Sequence, residues 1–358
     1  MHSKILLTGA TGMLGGEVAL LLANSGCEVY CLTKGFDPQE RLLTRLRKSK
    51  YFIEGVSDKN IYAEPGDLRL EGLGLCDSSL ETHLKDIDLI VHSAAETSFL
   101  NKESCREVNI NGTQRVVNFA SKCKNKPLIC YISTACNVGA VTNTCLKEEE
   151  GCKPEAVHHN EYTRSKAISE TIVRQSGLPF LIVRPSIVLS DSIDDRVFAR
   201  QIFWFVPLMW KFSAIPINEH SRTDVVPVSF FAESLLKLLQ SPRSHDCYNI
   251  SSGTNSFTFG QWSEIARQIL GRESLPEFVK PELWNAEKQK QCIATPEQKK
   301  LFSGFKHYLP FWNMNVVFDN TKLEETIGEL KIPLPETYLK HILDLITAEE
   351  AIEESQAP

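Results

Sequence analysis

Tyr162 and Lys166 have side chains that can exchange protons, and they stand four positions apart in the sequence. In a helix this spacing places both side chains on one face, one turn apart. A free tyrosine has a pKa of about 10, and a neighbouring cation favours the phenolate, so the pair predicts an acid with a lowered pKa. The same spacing occurs by chance on solvated helical faces. The stretch Tyr131 to Ala135 favours the catalytic interpretation, because it ends a predicted strand, where ligands of doubly wound folds bind.

A glycine-rich turn separates the first predicted strand, Ile5 to Leu7, from the first predicted helix, Gly15 to Asn24. Its glycines follow the pattern Gly-x-x-Gly-x-x-Gly. Such a turn lets backbone N–H groups and the positive end of the helix approach a pyrophosphate. Its position in a strand–turn–helix unit favours dinucleotide binding over a purely geometric role. We expect the cofactor to contact Gly9, Thr11, Gly12, Met13, Leu14 and Gly15.

The end of the second predicted strand distinguishes NADP from NAD. An acidic side chain there would bind the ribose 2′-hydroxyl, whereas a cation would accommodate a 2′-phosphate. This strand ends Cys31-Leu32-Thr33-Lys34, and no Asp or Glu follows before Asp37. The sequence therefore favours NADP, with Lys34 as the phosphate contact and Arg45 as a second candidate. For the three cations of the following helix, the favoured interpretation is nevertheless a solvated face: Arg41, Arg45 and Lys48.

Short β-branched runs alternate with amphipathic stretches in the first half of the chain, which is typical of βαβ units. The predicted strands of this half are Ile5 to Leu7, Glu28 to Leu32, Leu89 to His92, Leu128 to Ser133 and Phe180 to Val183, and two more follow at Val225 to Val228 and Tyr248 to Ser251. The predicted helices are Gly15 to Asn24, Pro38 to Ser49, Cys105 to Lys122 and Glu161 to Gln175. This pattern predicts an α/β fold, a doubly wound Rossmann-type parallel sheet with a smaller, discontinuous, mostly helical substrate lobe. We assign residues 1–185 and 222–252 to an NADP-binding domain, and residues 186–221 and 253–358 to the lobe.

Composition and charge exclude several classes of protein. The 358 residues are 42% hydrophobic and carry a net charge of -6, so there is no basic footprint for nucleic acid. The 11 cysteines contain no Cys-x-x-Cys pair, so we expect no metal site and a reducing, cytoplasmic location. The short run before Ile5 does not fit a signal peptide. The longest apolar stretch, Gln201 to Ile217, contains Lys211 and two prolines and is too short to span a membrane.

Several motifs, in order and with natural spacings, make residues 3 to 250 resemble the extended short-chain dehydrogenase/reductases. They are the Thr-Gly-x-Thr-Gly-x-x-Gly start at Thr8, Gly66-Asp67-Leu68, His92-Ser93-Ala94-Ala95, Asn109 to Thr113, Ser133-Thr134-Ala135, Tyr162 to Lys166 and Arg184-Pro185-Ser186. Within this superfamily the chain looks most like the thioester reductase and fatty acyl-CoA reductase branch. The narrower likeness rests on Gly66-Asp67-Leu68 with Leu73-Gly74-Leu75, on the strand end Cys31 to Lys34, and on Asp224 to Val228.

The resemblance implies a role for each residue that matches a family motif. Thr134 would polarise the substrate carbonyl, Tyr162 would protonate the developing oxyanion, and Lys166 would hold the nicotinamide ribose and lower the tyrosine pKa. Preorganised donors at this oxygen would lower the barrier, because hydride delivery builds negative charge there. Ser133 is the competing hydroxyl and is counted with the cofactor contacts. The other implied contacts are Asp67 and Leu68 at the adenine, Ala94 and Ala95 at the ribose, Pro185 and Ile187 at the nicotinamide, and Asn109 behind the site.

The resemblance also implies reduction of a lipophilic acyl thioester to an aldehyde or an alcohol. No carrier-domain motif is evident, so the thioester would arrive on coenzyme A or on a separate carrier protein. We interpret the apolar segment Val197 to Trp210 as a wall for the acyl chain. A helix that packs the second lobe, and a homodimer or membrane-surface contact, are the alternatives for this segment. His158 and His159 match no metal-ligand spacing and predict a solvated loop.

Three other functions stay open at this point. Nucleotide-sugar epimerases and dehydratases share the Thr-Tyr-Lys residues, although the apolar segment Val197 to Trp210 argues against a sugar substrate. A ketone or 3β-hydroxysteroid-type alcohol dehydrogenase would suit the same segment. A non-catalytic protein that binds the cofactor and reads its redox state is disfavoured, because Thr134, Tyr162 and Lys166 are all present.

Overall fold

The computed structural model describes residues 3–35, 37–76, 84–151, 153–191, 203–241, 246–328 and 331–355, with side chains as far as residue 346. Short runs of β-branched and aromatic residues form most strands, because such side chains pack well on a pleated surface. The strands are β1 Lys4–Thr8, β2 Glu28–Thr33, β3 Ile61–Pro65, β4 Leu89–His92, β5 Leu128–Ile132, β6 Thr144–Leu146, β7 Phe180–Pro185, β8 Ile187–Leu189, β9 Ala214–Ile215, β10 Val225–Pro227, β11 Asp246–Ile250, β12 Glu277–Phe278 and β13 Val316–Phe318.

Seven of these strands form one parallel sheet in the order β11-β7-β5-β4-β1-β2-β3. β1 pairs with β2 on one side and with β4 on the other, so the strand order reverses between β1 and β4. In doubly wound sheets, ligands bind outside the carboxyl ends of the strands at such a reversal. The predicted α/β fold with a parallel sheet is confirmed.

Amphipathic stretches form the helices that connect and cover the strands. They are α1 Met13–Asn24, α2 Pro38–Leu46, α3 Ser57–Asn60, α4 Lys102–Ser104, α5 Gly112–Lys122, α6 Glu161–Arg174, α7 Val228–Gln240, α8 Phe259–Ile269, α9 Ala286–Cys292, α10 Pro296–Phe305, α11 Leu309–Trp312, α12 Thr321–Ile327 and α13 Pro335–Ser355. The chain between α4 and α5 is π-helical over Cys105–Asn111. Asn160 caps α6, where its side-chain oxygen accepts a hydrogen bond from the Thr163 N–H at 2.9 Å.

β3 is the strand of the main sheet that the sequence pattern does not predict. It lies at the sheet edge and pairs with β2. Ile61 and Glu64 are its buried residues, whereas the Tyr62 side chain is 39% exposed. An edge strand has one neighbour and buries few apolar side chains, so its sequence lacks the continuous apolar run of the central strands.

Different helices cover the two faces of the sheet. Ile5 and Leu7 of β1 face a core that is shared with α1 and α7. Leu6, which lies between them, faces a core shared with α5 on the opposite side. Alternate residues of a strand point to opposite faces, so burial of all three requires cover on both sides. The buried strands form a packed platform whose carboxyl edge carries the loops of the candidate site.

A third core consists mostly of residues that the sequence analysis assigns to the second lobe. Phe203, Phe205 and Met209 are at most 2% exposed, and the ring centroids of Phe205 and Trp312 lie 3.8 Å apart. The described part of the apolar segment Val197 to Trp210 therefore packs this lobe, whereas residues 197–202 lie outside the described residues. Within the described residues, no helix is both long enough and apolar enough to cross a membrane.

Candidate active site

The glycine-rich turn after β1 closes tightly on the loop that follows β4. Gly9 has a φ of +82°, and the Gly12 N–H donates to its carbonyl oxygen at 2.9 Å. A Cβ on Gly9 would lie 2.6 Å from the Ala94 nitrogen, and a Cβ on Gly15 would lie 2.3 Å from the Gly9 oxygen. Side chains at these two positions would fill the turn. The turn and the first N–H groups of α1 therefore form a cradle that suits a pyrophosphate, as the motif predicts.

The other predicted contacts of the turn lie around this cradle. Thr11 is exposed, Met13 begins α1, and Leu14 is partly buried. Ala94, which is predicted to line the ribose, donates its N–H to Thr8 Oγ1 at 3.2 Å. Ala95 follows it and is partly exposed. The structure thus brings the ends of β1 and β4 together at the point where the strand order reverses.

Lys34 and Asp67, which are predicted to contact the adenosine half of the cofactor, form an ion pair. Lys34 Nζ lies 3.0 Å from Asp67 Oδ1, and Arg69 Nη2 lies 2.7 Å from Asp67 Oδ2. Partial burial raises the pKa of Asp67, but the hydrogen bonds and charges of Arg69 and Lys34 outweigh this effect and hold it well below its usual range. Leu68 is 4% exposed and packs in a core. Lys34 is 52% exposed, so its ammonium can also meet a ligand.

Arg45 does not lie on a solvated face, and that prediction is wrong for this residue. It is 9% exposed, and its Nη2 donates to the Gly12 carbonyl at 3.3 Å. The helix α2 turns this side chain toward the glycine-rich turn, so the guanidinium helps to hold the turn from behind. Arg41 and Lys48 of the same helix are exposed, as predicted. The Arg41 Nη1 donates to the Lys34 carbonyl at 2.9 Å.

The structure separates the two competing hydroxyls at the end of β5. Ser133 Oγ donates to Glu170 Oε2 and accepts from Asn137 Nδ2, each at 3.0 Å. Ser133 is 3% exposed, so its hydroxyl belongs to a buried network. Thr134 Oγ1 accepts from the Cys136 N–H at 3.3 Å and caps the short 3-10 turn that follows. The Thr134 hydroxyl also interacts with the Cys136 thiol but, among the contacts of the described residues, lies outside the Glu170 network, so it is the hydroxyl better placed to donate to a ligand.

Tyr162 and Lys166 lie on the first turns of α6, as their spacing predicts. Lys166 Nζ donates to the Ile132 carbonyl at 2.6 Å and lies 4.2 Å above the Tyr131 ring. Burial lowers the pKa of Lys166 to about 7. Burial also raises the pKa of Tyr162, and the nearby thiols add to this shift. The predicted lowering of the tyrosine pKa is therefore not found, because an apolar surrounding that includes Phe99 disfavours the phenolate.

Asn109 links three parts of the site from the π-helical segment. Its Oδ1 accepts from the Glu96 N–H at 2.7 Å, and its Nδ2 donates to Ser165 Oγ at 2.8 Å. Ser165 Oγ in turn donates to the Tyr162 carbonyl at 2.7 Å. The amide thus joins the loop after β4 to the helix that carries Tyr162 and Lys166. π-helical segments are frequent at functional sites because they redirect individual side chains.

Pro185 and Ile187 lie where the chain passes from β7 to β8. Pro185 ends β7 and is buried, whereas Ile187 begins β8 and is partly exposed. The Ile187 N–H donates to the Asp224 carbonyl at 3.2 Å. This contact belongs to the pairing of β8 with β10 and holds the loop beside the carboxyl edge of the sheet.

A family model described as male sterility protein matches residues 7–235. The chain belongs to this family. The resemblance to the extended short-chain dehydrogenase/reductases and their thioester reductase branch, drawn from the sequence motifs, is confirmed.

Two curated proteins and one solved structure illustrate what this chain is similar to. A linear gramicidin synthase of Brevibacillus parabrevis is 28% identical over 255 residues, which cover 67% of this chain and 5% of the synthase. Probable fatty acyl-CoA reductase 5 of Arabidopsis thaliana is 24% identical over 356 residues, which cover 76% of this chain and 71% of that protein. The terminal R domain from the myxalamid PKS-NRPS biosynthetic pathway has the same fold, with a TM-score of 0.79, 22% identity, and coverage of 98% of this chain and 91% of that domain.

The buried carboxylate of Glu170 links several elements of the site, and it was not predicted from the sequence. Glu170 is fully buried and receives hydrogen bonds from Ser133, Asn137, Arg174 and Arg184. Burial raises the pKa of Glu170, but the hydrogen bonds and charges of the two arginines outweigh this effect and lower it. The signal was the helical spacing of four between Glu170 and Lys166, which places the carboxylate one turn beyond the lysine.

A buried imidazole forms a second contact set that the sequence analysis missed. His92 Nδ1 lies 2.8 Å from Thr8 Oγ1, and its Nε2 lies 3.0 Å from Thr113 Oγ1. Thr113 Oγ1 donates to the Asn109 carbonyl, so the threonine accepts from a protonated Nε2 and Nδ1 accepts from Thr8. Burial lowers the pKa of His92 to about 3, which keeps the ring neutral. The ring therefore joins β1, β4 and α5 beneath the glycine-rich turn.

Proposed function

We propose that this protein is an NADPH-dependent reductase of lipophilic acyl thioesters, with Thr134, Tyr162 and Lys166 as its catalytic residues. The observation that carries the proposal is the 2.6 Å hydrogen bond from Lys166 Nζ to the Ile132 carbonyl. It joins the helix of Tyr162 to the strand end that carries Thr134. The names of similar proteins, a fatty acyl-CoA reductase and a terminal R domain, support a thioester substrate.

The cofactor proposal rests on the glycine cradle and on the cations at the ends of β2 and β3. Gly9 and Gly15 leave room that a Cβ would fill, which suits a pyrophosphate. The exposed Lys34 ammonium and the Arg69 guanidinium lie on either side of Asp67 and suit a 2′-phosphate. When bound, NADPH would supply the hydride. We expect Lys34→Glu to shift the ratio of kcat/KM toward NADH, and an unchanged ratio would contradict the role of Lys34.

The proposed reaction begins when hydride adds to the thioester carbonyl carbon. The Thr134 hydroxyl donates to the carbonyl oxygen and stabilises its growing negative charge. The raised pKa of Tyr162 keeps the phenol protonated near neutrality, so it can pass its proton to that oxygen. The resulting hemithioacetal loses thiol as its C–S bond breaks, which leaves an aldehyde. A second hydride and proton would convert the aldehyde to an alcohol.

The remaining residues are proposed to position these groups. Ser133 would support Thr134 through the Glu170 network, because its own hydroxyl is engaged there. Asn109 would hold the helix that carries Tyr162. The other proposed cofactor contacts are Thr11, Gly12, Met13, Leu14, Asp67, Leu68, Ala94, Ala95, Pro185 and Ile187. The lobe of residues 186–221 and 253–358 is proposed to bind the acyl chain.

The thioester is proposed to arrive on coenzyme A or on a separate carrier protein. A thioester reductase of either kind binds the same pantetheine arm, so the catalytic residues would be shared. We also infer a cytoplasmic location, which suits the ten described cysteines, all of them free thiols.

The loss of NADPH absorbance, with free thiol assayed in parallel, tests the proposal. Acyl-CoA thioesters, the matching aldehydes, ketones and UDP-sugars form the substrate panel. We expect thioesters to consume NADPH with stoichiometric thiol release, and Tyr162→Phe to abolish this turnover while NADPH still binds. Tyr62→Phe, at a 39% exposed tyrosine of β3, is the matched control. NADPH oxidation with ketones alone would favour the alcohol dehydrogenase over the proposed function. Conversion of a UDP-sugar without net NADPH loss would favour the epimerase or dehydratase.

A further inference from the structure

A cavity of about 300 Å³ opens beside the first turn of α6. Its walls come from the loop after β4, from the loop before α6, from α6 itself and from His307 of the second lobe. His158 and His159 are predicted to lie in a solvated loop. In the structure both are partly buried and line this cavity.

The lining of the cavity carries more positive than negative groups. Lys102 and Arg164 contribute cations, and His158, His159 and His307 contribute three imidazoles. Glu161 is the carboxylate among the described residues that line it, and its Oε1 accepts from Arg164 Nη1 at 3.1 Å. The Lys102 ammonium and an N–H at His159 Nε2 therefore remain for another acceptor. Such a set of N–H donors matches the oxygens of a phosphate.

Three neighbouring side chains in this wall each have a buried polar atom whose hydrogen-bonding capacity is unused. They are His158 Nδ1, His159 Nε2 and Asn160 Nδ2, for which the described residues supply no hydrogen-bond partner. His158 Nε2 already donates to the Lys153 carbonyl at 2.9 Å, and Asn160 Oδ1 already caps α6. These contacts fix the orientation of both side chains. Buried polar atoms are normally paired, so three unpaired ones around one cavity indicate a polar ligand.

The cavity adjoins the proposed catalytic site through aromatic side chains. Phe99 lines the cavity, and its ring centroid lies 6.2 Å from that of Tyr162. The ring of Phe311 lies 5.2 Å from Phe99 and 5.3 Å from His159. The cavity thus lies beside Tyr162, within reach of a flexible substrate arm whose reacting carbonyl meets this tyrosine. The polar outer end of that arm would then meet the imidazoles.

We infer that this cavity binds the phosphate ester at the outer end of the pantetheine arm of the substrate thioester. The inference rests on the proposed function, because it assumes a thioester substrate. Coenzyme A and a carrier protein both present this phosphate, so the subsite serves either source. Lys102 supplies charge and His159 supplies a hydrogen bond from its Nε2. Both are specificity residues, since neither contacts the reacting carbonyl.

The test compares thioesters of one acyl chain that differ in the outer end of the arm: pantetheine, phosphopantetheine, the phosphopantetheine methyl phosphodiester and coenzyme A. The readout is the ratio of kcat/KM for each phosphorylated thioester to that for the pantetheine thioester. We expect Lys102→Ala and His159→Gln each to lower this ratio by about tenfold. Lys299→Ala, at a cavity elsewhere in the second lobe, should keep the wild-type ratio. The more efficient of the methyl phosphodiester and coenzyme A identifies the source that the subsite favours.

An unchanged ratio in both variants would overturn the inference. A loss confined to the coenzyme A thioester would also overturn it, because the contact would then be with the nucleotide phosphates. If the wild-type protein reduces no thioester, the proposed function fails, and calorimetric titration with free phosphopantetheine and pantetheine still tests the subsite. Tighter wild-type binding of phosphopantetheine that Lys102→Ala and His159→Gln weaken would support it, and equal binding of the two compounds would overturn it.

Discussion

Glu170→Gln tests whether one buried carboxylate holds the catalytic elements together. Glu170 is fully buried and accepts from Ser133 Oγ at 3.0 Å and from Asn137 Nδ2 at 2.7 Å. It also accepts from Arg184 Nε at 3.1 Å and from Arg174 Nη2 at 2.9 Å. The glutamine keeps the shape of the side chain but removes its charge. Its amide nitrogen would replace one of the two oxygens and would then face three N–H or O–H donors in place of an acceptor.

The expected cost follows from the burial of Arg184, whose side chain is 2% exposed. Removing one partner of a buried ion pair leaves an uncompensated charge and costs about 3–5 kcal/mol. Arg174 is 34% exposed, so water can replace its bond to the carboxylate. We therefore expect Glu170→Gln to lower the free energy of unfolding by about 3–5 kcal/mol, with the loss arising mainly at Arg184.

Urea unfolding followed by circular dichroism at pH 7 measures this loss. Glu264→Gln is the matched control, because Glu264 also accepts from both Nε and Nη2 of Arg267, at 2.8 and 2.7 Å. That carboxylate is 42% exposed, so we expect almost no change in its unfolding midpoint. Equal losses in the two variants, or a wild-type midpoint for Glu170→Gln, would refute the reasoning from burial.

The same pair makes a prediction about pH. The folded-state pKa of Glu170 is lowered, so its contribution to stability is present above the usual value of 4.5 and is lost as the pH falls through the folded value. The stability difference between wild type and Glu170→Gln should therefore shrink below pH 4.5. A difference that stays constant as the pH falls well below 4.5 would show that Glu170 does not carry the charge.

Three further predictions concern the cofactor turn, the catalytic lysine and the second lobe. Gly15→Ala would place a Cβ 2.3 Å from the Gly9 oxygen. We expect this variant to weaken NADPH binding at least about tenfold in a fluorescence titration. Gly151→Ala is the control, because a Cβ there would lie in open space and should leave NADPH binding unchanged. Burial lowers the pKa of Lys166 to about 7. Above pH 7 the free energy of unfolding of the wild type should therefore rise relative to that of Lys166→Met, by at most about 1.4 kcal/mol per pH unit. A difference between the two proteins that does not change with pH in urea unfolding would contradict this prediction. Phe205→Ala should cost about 3–5 kcal/mol of unfolding free energy by the same method, because its ring is 2% exposed, and a loss below about 1 kcal/mol would exclude a core role.

The sequence was sufficient for features that depend on neighbouring residues. The glycine spacing between β1 and α1, the helical phase of Tyr162 and Lys166, and the positions of the central strands along the chain all follow from local sequence patterns. A 3.6-residue or 2-residue repeat requires no knowledge of distant partners. β3 escaped prediction because an edge strand buries too few apolar residues to produce such a repeat.

Tertiary structure decided the features that depend on which distant residues share one environment. The hydroxyls of Ser133 and Thr134 are adjacent in sequence, and the position of Glu170, 37 residues beyond Ser133, determines which one is engaged. Burial likewise raises the pKa of Tyr162, although the nearby lysine predicts the opposite from spacing alone. Sequence patterns specify which side chains share a face of one helix. Desolvation and long-range hydrogen bonds depend on the packing between elements, which no local repeat encodes.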